Sequence, residues 1–166
     1  ATYLGYSPFI VHRLDMLTNG LLLVAKNPAV VPILNRQLTN KTLHREYLAW
    51  VSKSNQLKQS GTISLPIGHD PNDQRKRMVR SDGQKAITHY KIVKECENKA
   101  LVKLTLETGR THQIRVHLAA LNAPIIGDPL YNPKYQKGES LQLTAYQLTF
   151  MRPFKFESKT VKLKQK

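Results

Sequence analysis

Negative charge is scarce in this sequence of 166 residues. Only 11 Asp and Glu residues stand against 26 Lys and Arg residues, so the formal net charge is +15 and the isoelectric point is about 10.1. This balance is expected of a protein that binds a polyanion. Nucleic acid is therefore the first candidate partner.

Cysteine is nearly absent, since Cys96 is the only one. A single thiol excludes an internal disulfide and a cysteine-based zinc knuckle, and it fits a reducing compartment. We therefore expect a cytoplasmic protein. No apolar run approaches the roughly 20 residues that span a bilayer, so we expect no membrane partner.

The chain contains enough hydrophobic residues to form one core, since they make up 40% of the sequence. A chain of this length typically folds as one compact unit. We expect a single domain over residues 1–166, acting as a monomer.

A lone carboxylate, Asp15, stands ahead of an uninterrupted apolar run in residues 21–26. The run predicts a strand that is buried on both faces. A carboxylate at the entrance to such a strand is costly unless it is paired or hydrogen-bonded. Either Asp15 caps a turn formed by residues 18–20, or it has a charged partner elsewhere in the chain.

The remaining pattern predicts an α+β fold with a mixed, largely antiparallel β-sheet flanked by a few helices. Residues 86–95 and 99–107 alternate apolar and polar side chains around a short turn, as an antiparallel hairpin does. Residues 45–51 are rich in β-favouring side chains. Helices are predicted from Asn27 to about residue 40 and from residue 112 to about 121, the second capped by Thr111.

A basic segment, residues 69–85, separates two of these strands and contains Arg75, Lys76 and Arg77. Such a run is often only a solvated loop. In a protein of this charge, flexible arginines on a loop can equally bind phosphates, and each neutralised phosphate adds salt-sensitive affinity. The residues alone leave both interpretations open.

Four stretches together resemble the RluA-type RNA pseudouridine synthases. They are residues 12–15 with 18–20, the strand around Tyr47, residues 61–68, and residues 108–118 followed by 127–128. The resemblance implies a pseudouridine synthase fold with a central RNA-binding cleft. It also implies that the upstream part of the domain, and any S4 domain, are not present in this chain.

The resemblance also implies roles for individual residues. Asp15 would be the essential aspartate, Tyr47 would stack on the target uracil, and Leu143 would flank the opposite side of the base. Arg115 would pair with Asp15 and keep it ionised, because a nearby guanidinium lowers the pKa of a carboxyl. The implied RNA contacts are Arg13, which would fill the space left by the flipped uridine, and His12, Arg110, His112, Arg75, Lys76 and Arg77.

The implied reaction breaks the C1′–N1 bond of uridine, turns the base and rejoins it through C5. No atom leaves, so we expect neither cofactor nor metal. His112 and His117 lie roughly 140° apart on a helix and do not form a helical metal pair. Asp15 could act as the nucleophile or as the base that removes the C2′ proton, and the sequence leaves both routes open.

The expected function is isomerisation of specific uridines in structured RNA, with large-subunit ribosomal RNA as the first target. Two alternatives stay open: a synthase that acts on tRNA, and a non-catalytic RNA-binding protein of the same fold. A basic nuclease is disfavoured, since the sequence shows no paired carboxylates or Ser/His/Lys set for that chemistry.

Overall fold

The computed structural model describes residues 5, 7–155 and 157–164. Within these residues the chain forms short and long strands and two α-helices. In chain order these are β1 (Phe9–Ile10), β2 (Asn19–Gly20), β3 (Val24–Ala25), α1 (Val31–Thr39), β4 (His44–Ser52), β5 (Ser60–Ser64), β6 (Ile67–His69), β7 (Arg77–Val79), β8 (Ile87–Glu95), β9 (Lys99–Leu106), α2 (Gln113–Ala120), β10 (Leu143–Met151) and β11 (Ser158–Lys162).

The large sheet has the order β11-β10-β4-β9-β8-β5, and each neighbouring pair is antiparallel. The short strand β2 adds a parallel contact with β10. The fold is therefore α+β with a mixed, largely antiparallel sheet, as predicted. Strand β11 lies at one end of the sheet and carries Lys159 and Lys162.

The main core lies on one face of this sheet. Alternate residues of β4, Tyr47, Ala49 and Val51, point into it, together with alternate residues of β9. Helix α2 covers this face through Ile114 and Leu118. Period-two alternation in the long strands thus places one row of side chains in the core.

A second, smaller core lies under α1. Leu34 of the helix packs with Val11 and Ala25, and Phe150 of β10 borders them. The predicted start of this segment is confirmed, because the Asn27 side chain accepts a hydrogen bond from the Ala29 N–H at 2.9 Å. A single 3-10 turn, Pro28–Val30, precedes the α-helix.

The prediction of a fully buried strand over residues 21–26 is wrong. Only Val24–Ala25 is strand, and Leu22 is 44% exposed. The backbone here changes partners: the Leu21 N–H donates to the Ala145 carbonyl of β10, and the Leu23 N–H donates to the His12 ring. The run therefore passes between two sheets and does not cross the core.

Helix α2 also differs from its prediction. It begins after His112, whose backbone is left-handed with φ 57°, and Thr111 is exposed and caps nothing. Six consecutive residues, 113–118, are buried, so the helix is enclosed on all sides. Arg115 was expected at the margin of the buried face and is in fact 2% exposed.

The basic segment 69–85 is partly ordered into a hairpin. Strands β6 and β7 pair antiparallel through the registers Ile67 to Val79 and His69 to Arg77. Gln84 then bridges back to Ile67. The segment is therefore a short β-ribbon that carries arginines, and only part of it is loop.

Candidate active site

Asp15 lies in the loop between β1 and β2. The Thr18 N–H donates to the Asp15 carbonyl oxygen at 2.9 Å, which closes a turn. The Asp15 side chain is half-buried and has no hydrogen-bond partner among the described residues. The turn is therefore held by the backbone, and the carboxylate stays available.

Two contacts fix this loop on the sheet. His12, in the buried part of the loop, accepts the Leu23 N–H on Nε2 at 3.1 Å. Gly20 has φ +117°, and a Cβ there would overlap the carbonyl oxygen of Ala145. Only glycine allows this close approach of the loop to β10. These contacts place Asp15 beside the ends of β4 and β10.

Asp15 opens into a cavity of about 220 Å³. Its walls come from the Asp15 loop, β4, the turn before α2, and the start of β10. Five residues predicted from the sequence as site residues line this cavity: Arg13, Asp15, Tyr47, Arg110 and Leu143. Segments separated by more than a hundred residues thus converge on one acid.

Tyr47 and Leu143 are the buried walls of the cavity, 5% and 2% exposed. Burial raises the pKa of the Tyr47 phenol; the positive charge of Arg45 opposes this shift, and the negative charge of Asp15 adds to it. The phenol is therefore neutral at physiological pH and presents a ring and a hydroxyl.

The predicted pair of Asp15 and Arg115 is wrong in this structure. Arg115 donates two hydrogen bonds to Asp128, Nε to Oδ2 at 2.8 Å and Nη2 to Oδ1 at 2.7 Å. Both side chains are buried, and the guanidinium lies 5.0 Å from the centre of the Tyr131 ring. Asp128 satisfies Arg115 because the turn after α2 brings its carboxylate directly onto the helix.

The charge of Asp15 still reaches Arg115. Burial alone would lower the pKa of Arg115, but the hydrogen bonds and charge of Asp128 raise it, and the charge of Asp15 raises it further. Arg115 does not line the Asp15 cavity, although its neighbour Ile114 does. The signal for this pair was present in the sequence, since Asp128 belongs to the last of the four resembling stretches.

His112 does not line either of the two cavities described here. Its Nδ1 lies 2.8 Å from the Tyr131 hydroxyl, which itself accepts the Arg77 N–H at 2.8 Å. The hydroxyl either donates to Nδ1 or accepts from it, according to the tautomer of the ring. Burial lowers the pKa of His112, the charge of Arg115 lowers it further, and Asp15 opposes the shift.

A second cavity, of about 490 Å³, adjoins the first and shares its wall at residues 109–111. Its lining includes the positive side chains of Arg77, Arg80 and Arg110. Of the three predicted basic residues, only Arg77 lines it. Arg75 is exposed and ion-paired with Asp73 at 2.8 Å, and Lys76 is half-buried and lines neither cavity.

The sequence analysis missed Arg45, which lines the Asp15 cavity from β4. Its position two residues before Tyr47 could have indicated this, because side chains at i and i+2 of a strand share a face. Across the described ranges, no three His, Cys, Asp or Glu side chains group to hold a metal ion. None of the helices that the structure describes is long and apolar enough to cross a membrane.

The known proteins that this chain resembles are described as pseudouridine or pseudouridylate synthases. A family model described as RNA pseudouridylate synthase matches residues 3–120. The RNA pseudouridine synthase YlyB of Bacillus subtilis is 46% identical over 127 residues, 76% of this chain and 42% of that protein. The ribosomal large subunit pseudouridine synthase D of Xanthomonas campestris is 44% identical over 138 residues, 82% of this chain and 41% of that protein.

A solved structure shares the fold. Human RNA pseudouridylate synthase domain containing 1 superimposes with a TM-score of 0.83 at 26% identity, covering 96% of this chain and 69% of the human chain. The chain spans about two-fifths of the length of the two bacterial relatives. The family model and both bacterial identities support the resemblance drawn from the four stretches, and the chain belongs to the RNA pseudouridylate synthase family.

Proposed function

We propose that this chain is the catalytic domain of an RNA pseudouridine synthase that isomerises uridines in large-subunit ribosomal RNA. One observation carries the proposal: Asp15 opens into a small cavity whose walls include Tyr47 and Leu143. An acid, an aromatic ring and an aliphatic side chain around one small space suit a flipped base that is held, detached and rejoined.

Asp15 starts the reaction in this proposal. As a carboxylate it either attacks C1′ of the ribose or removes the C2′ proton, and both routes detach the base from C1′. The base turns within the cavity and C5 bonds to C1′; on the first route this breaks the bond between Asp15 and C1′, and on the second Asp15 returns the proton to C2′. The C5 proton is lost and N1 is protonated, so the product is an isomer of the substrate.

Tyr47 and Leu143 hold the base between them. The Tyr47 ring stacks on one face of the uracil, and Leu143 contacts the other, which keeps the detached base in place while it turns. Both side chains are buried before any substrate is bound, so their positions are set by the sheet. Because these side chains are already ordered, they lose little conformational entropy when the base binds.

Basic side chains at the rim bind the RNA backbone. Arg13 and Arg110 are exposed residues at the edge of the Asp15 cavity, and Arg13 fills the place of the flipped uridine in the RNA. Arg77 lines the adjoining cavity, where it meets a neighbouring phosphate. Such contacts fix the register of the RNA without reading its sequence.

The proposed target is ribosomal RNA, modified in the cytoplasm by a monomer. The names of the Xanthomonas and Nitrosomonas relatives, both large-subunit pseudouridine synthases, support this target over tRNA. Mapping pseudouridines in ribosomal RNA and tRNA, with and without the gene, tests it. Loss of a site in tRNA alone would contradict the ribosomal target.

The Asp15→Asn variant tests the chemistry. The amide keeps the size of the side chain but cannot act as a nucleophile or base, so we expect no pseudouridine and nearly unchanged RNA binding. The measurement is pseudouridine content in the target RNA by mass spectrometry, together with the Kd for that RNA. Glu97→Gln is the matched control, because it also replaces a carboxylate with an amide but lies in an exposed turn between β8 and β9. Full turnover by Asp15→Asn would contradict the catalytic role of Asp15.

A further inference from the structure

Arg45 is a charged group for which the fold supplies no acceptor. Its Nε is shielded from solvent and has no hydrogen-bond partner in the part of the chain that the structure describes. No acidic residue of that part lies within ion-pair distance of it. A guanidinium stays charged at any physiological pH, so a buried N–H without an acceptor is costly.

Two other arginines without a described acceptor, Arg13 and Arg36, are exposed and can be hydrated. Arg115, which is more buried than Arg45, has a bidentate carboxylate partner. Among the described residues, Arg45 is therefore the arginine that has a nitrogen shielded from solvent and no hydrogen-bond acceptor for it. A cost of this kind is common at functional sites, where the ligand supplies the missing partner.

Arg45 lines the cavity of Asp15, and it also lines a third cavity beside α1 and β9. Arg45 and Tyr47 lie on the same face of β4, and both line the cavity of Asp15. The terminal nitrogens pack against the turn before α2: a Cβ on Gly109 would lie 3.4 Å from Nη2 and 3.5 Å from Nη1. The positive charge of Arg45 also contributes, less than burial does, to the lowered pKa of His12.

We propose that Arg45 is a catalytic residue that binds the uracil anion released when the C1′–N1 bond breaks. The inference rests on the proposed function. The bond breaks with its electron pair on N1, and the negative charge spreads over N1 and the ring oxygens. N1 and O2 are joined through one carbon, as the two oxygens of a carboxylate are, and a guanidinium binds that spacing with two parallel N–H groups.

Arg45 neither gains nor loses a proton in this step. The C5–C1′ bond forms from the detached base, the proton leaves C5, and N1 takes up a proton as the product forms. Arg45 lowers the energy of the charged intermediate because its N–H donors are already in position before the charge develops. Arg45 stabilises the neutral substrate less than the charged intermediate, so its loss should slow the chemical step more than it weakens substrate binding.

The test compares Arg45→Met and Arg45→Lys with Arg36→Met, an exposed arginine of α1. For each variant, the Kd for the target RNA and the single-turnover rate at saturating enzyme are measured. We expect Arg45→Met to lower the rate by about 10²–10³-fold, as for loss of a donor that stabilises developing charge, with Kd nearly unchanged. Arg45→Lys keeps the positive charge but loses the two parallel N–H groups, so its rate should lie between those of the wild type and Arg45→Met. Arg36→Met should behave as the wild type.

Two further measurements separate this role from others. Added guanidinium ion should restore part of the rate of Arg45→Ala and none of the rate of Asp15→Asn. Thermal unfolding should show Arg45→Met at least as stable as the wild type, because a shielded charge without an acceptor is replaced by an apolar chain of similar length.

Four results would overturn the assignment. A weaker Kd with an unchanged single-turnover rate would make Arg45 a phosphate ligand. A large loss of thermal stability in Arg45→Met would make it a structural residue. A wild type that forms no pseudouridine would remove the proposed function itself, whereas an active wild type with an equally active Arg45→Met would remove only the role of Arg45.

Discussion

Two arginines near the cavity, Arg115 and Arg45, differ in whether the fold supplies their acceptors. Arg115 is held by the carboxylate of Asp128, which also accepts the backbone N–H groups of Leu130 and Tyr131. Every hydrogen-bonding oxygen of this buried acid is therefore used in orienting the helix and the turn that follows it. Arg45 has no such partner among the described residues. Arg115 is therefore held by the fold, and Arg45 is the arginine that we propose to bind the substrate.

Asp128→Ala should destabilise the protein strongly. The substitution leaves the Arg115 charge buried without a partner, and breaking one side of a buried ion pair costs about 3–5 kcal/mol. The measurement is the free energy of unfolding in urea. Asp82→Ala is the control, because its pair with Arg80 is exposed and should change stability little. Similar stabilities for the two variants would contradict the importance of the Arg115 pair.

Among the elements, the β6–β7 hairpin stands out because one side chain ties it to the turn before α2. The Tyr131 hydroxyl accepts the backbone N–H of Arg77 and lies within hydrogen-bond distance of His112. Gln84 adds a second link by bridging to Ile67. The hairpin is thereby positioned so that Arg77 and Arg80 face the second cavity. Ile67 of β6 and Val79 of β7 also pack against Val116 of α2, so apolar contacts add to this hydrogen bond.

Tyr131→Phe should loosen this hairpin while leaving the ring in place. The variant loses the acceptor for the Arg77 N–H, and a hydrogen bond of this kind contributes about 1 kcal/mol. We expect faster hydrogen exchange at the Arg77 amide and weaker RNA binding. Tyr135→Phe serves as the control, since the Tyr135 hydroxyl receives only a long, 3.4 Å hydrogen bond from Gly138. Unchanged exchange at Arg77 would show that Tyr131 does not hold the hairpin.

For the molecule as a whole, the excess of positive charge is not cancelled by internal pairing. Glu46 and Glu107 are already bound to Lys103 and Lys41, at 2.9 and 2.8 Å. With 11 acidic residues in the entire chain, most lysines and arginines remain without a carboxylate. A net charge of this size attracts RNA from a distance, and the cavities then select where the RNA is held.

RNA affinity should therefore fall steeply with salt. A plot of log Kd against log salt should be linear, and each neutralised phosphate contributes about 0.7–0.9 to its slope. Arg77→Gln should reduce the slope by about one, as loss of one phosphate contact does. Arg152→Gln should leave it unchanged, because Arg152 is paired with Glu157 in the connection between β10 and β11. Equal slopes for Arg77→Gln and the wild type would remove Arg77 from the RNA surface.

The sequence by itself determined the features that depend on neighbouring residues. The β-favouring side chains predicted β4, alternation predicted the β8–β9 hairpin, Asn27 predicted the start of the first helical segment, and the scarcity of acids predicted a polyanion as partner. The resemblance also indicated Asp15, Tyr47 and Leu143, which line one cavity. These predictions held because strand alternation and helix capping are local, and because charge is a sum over residues.

Only the tertiary structure decided which distant groups meet. Arg115 pairs with Asp128 and not with Asp15, because the turn after α2 brings the Asp128 carboxylate against the helix. The apolar run after Gly20 divides its hydrogen bonds between β10 and His12, so it never becomes a core strand. Arg45 enters the cavity because β4 runs beside the turn that contains Gly109. Each outcome depends on packing between segments far apart in the chain, which local sequence patterns do not encode.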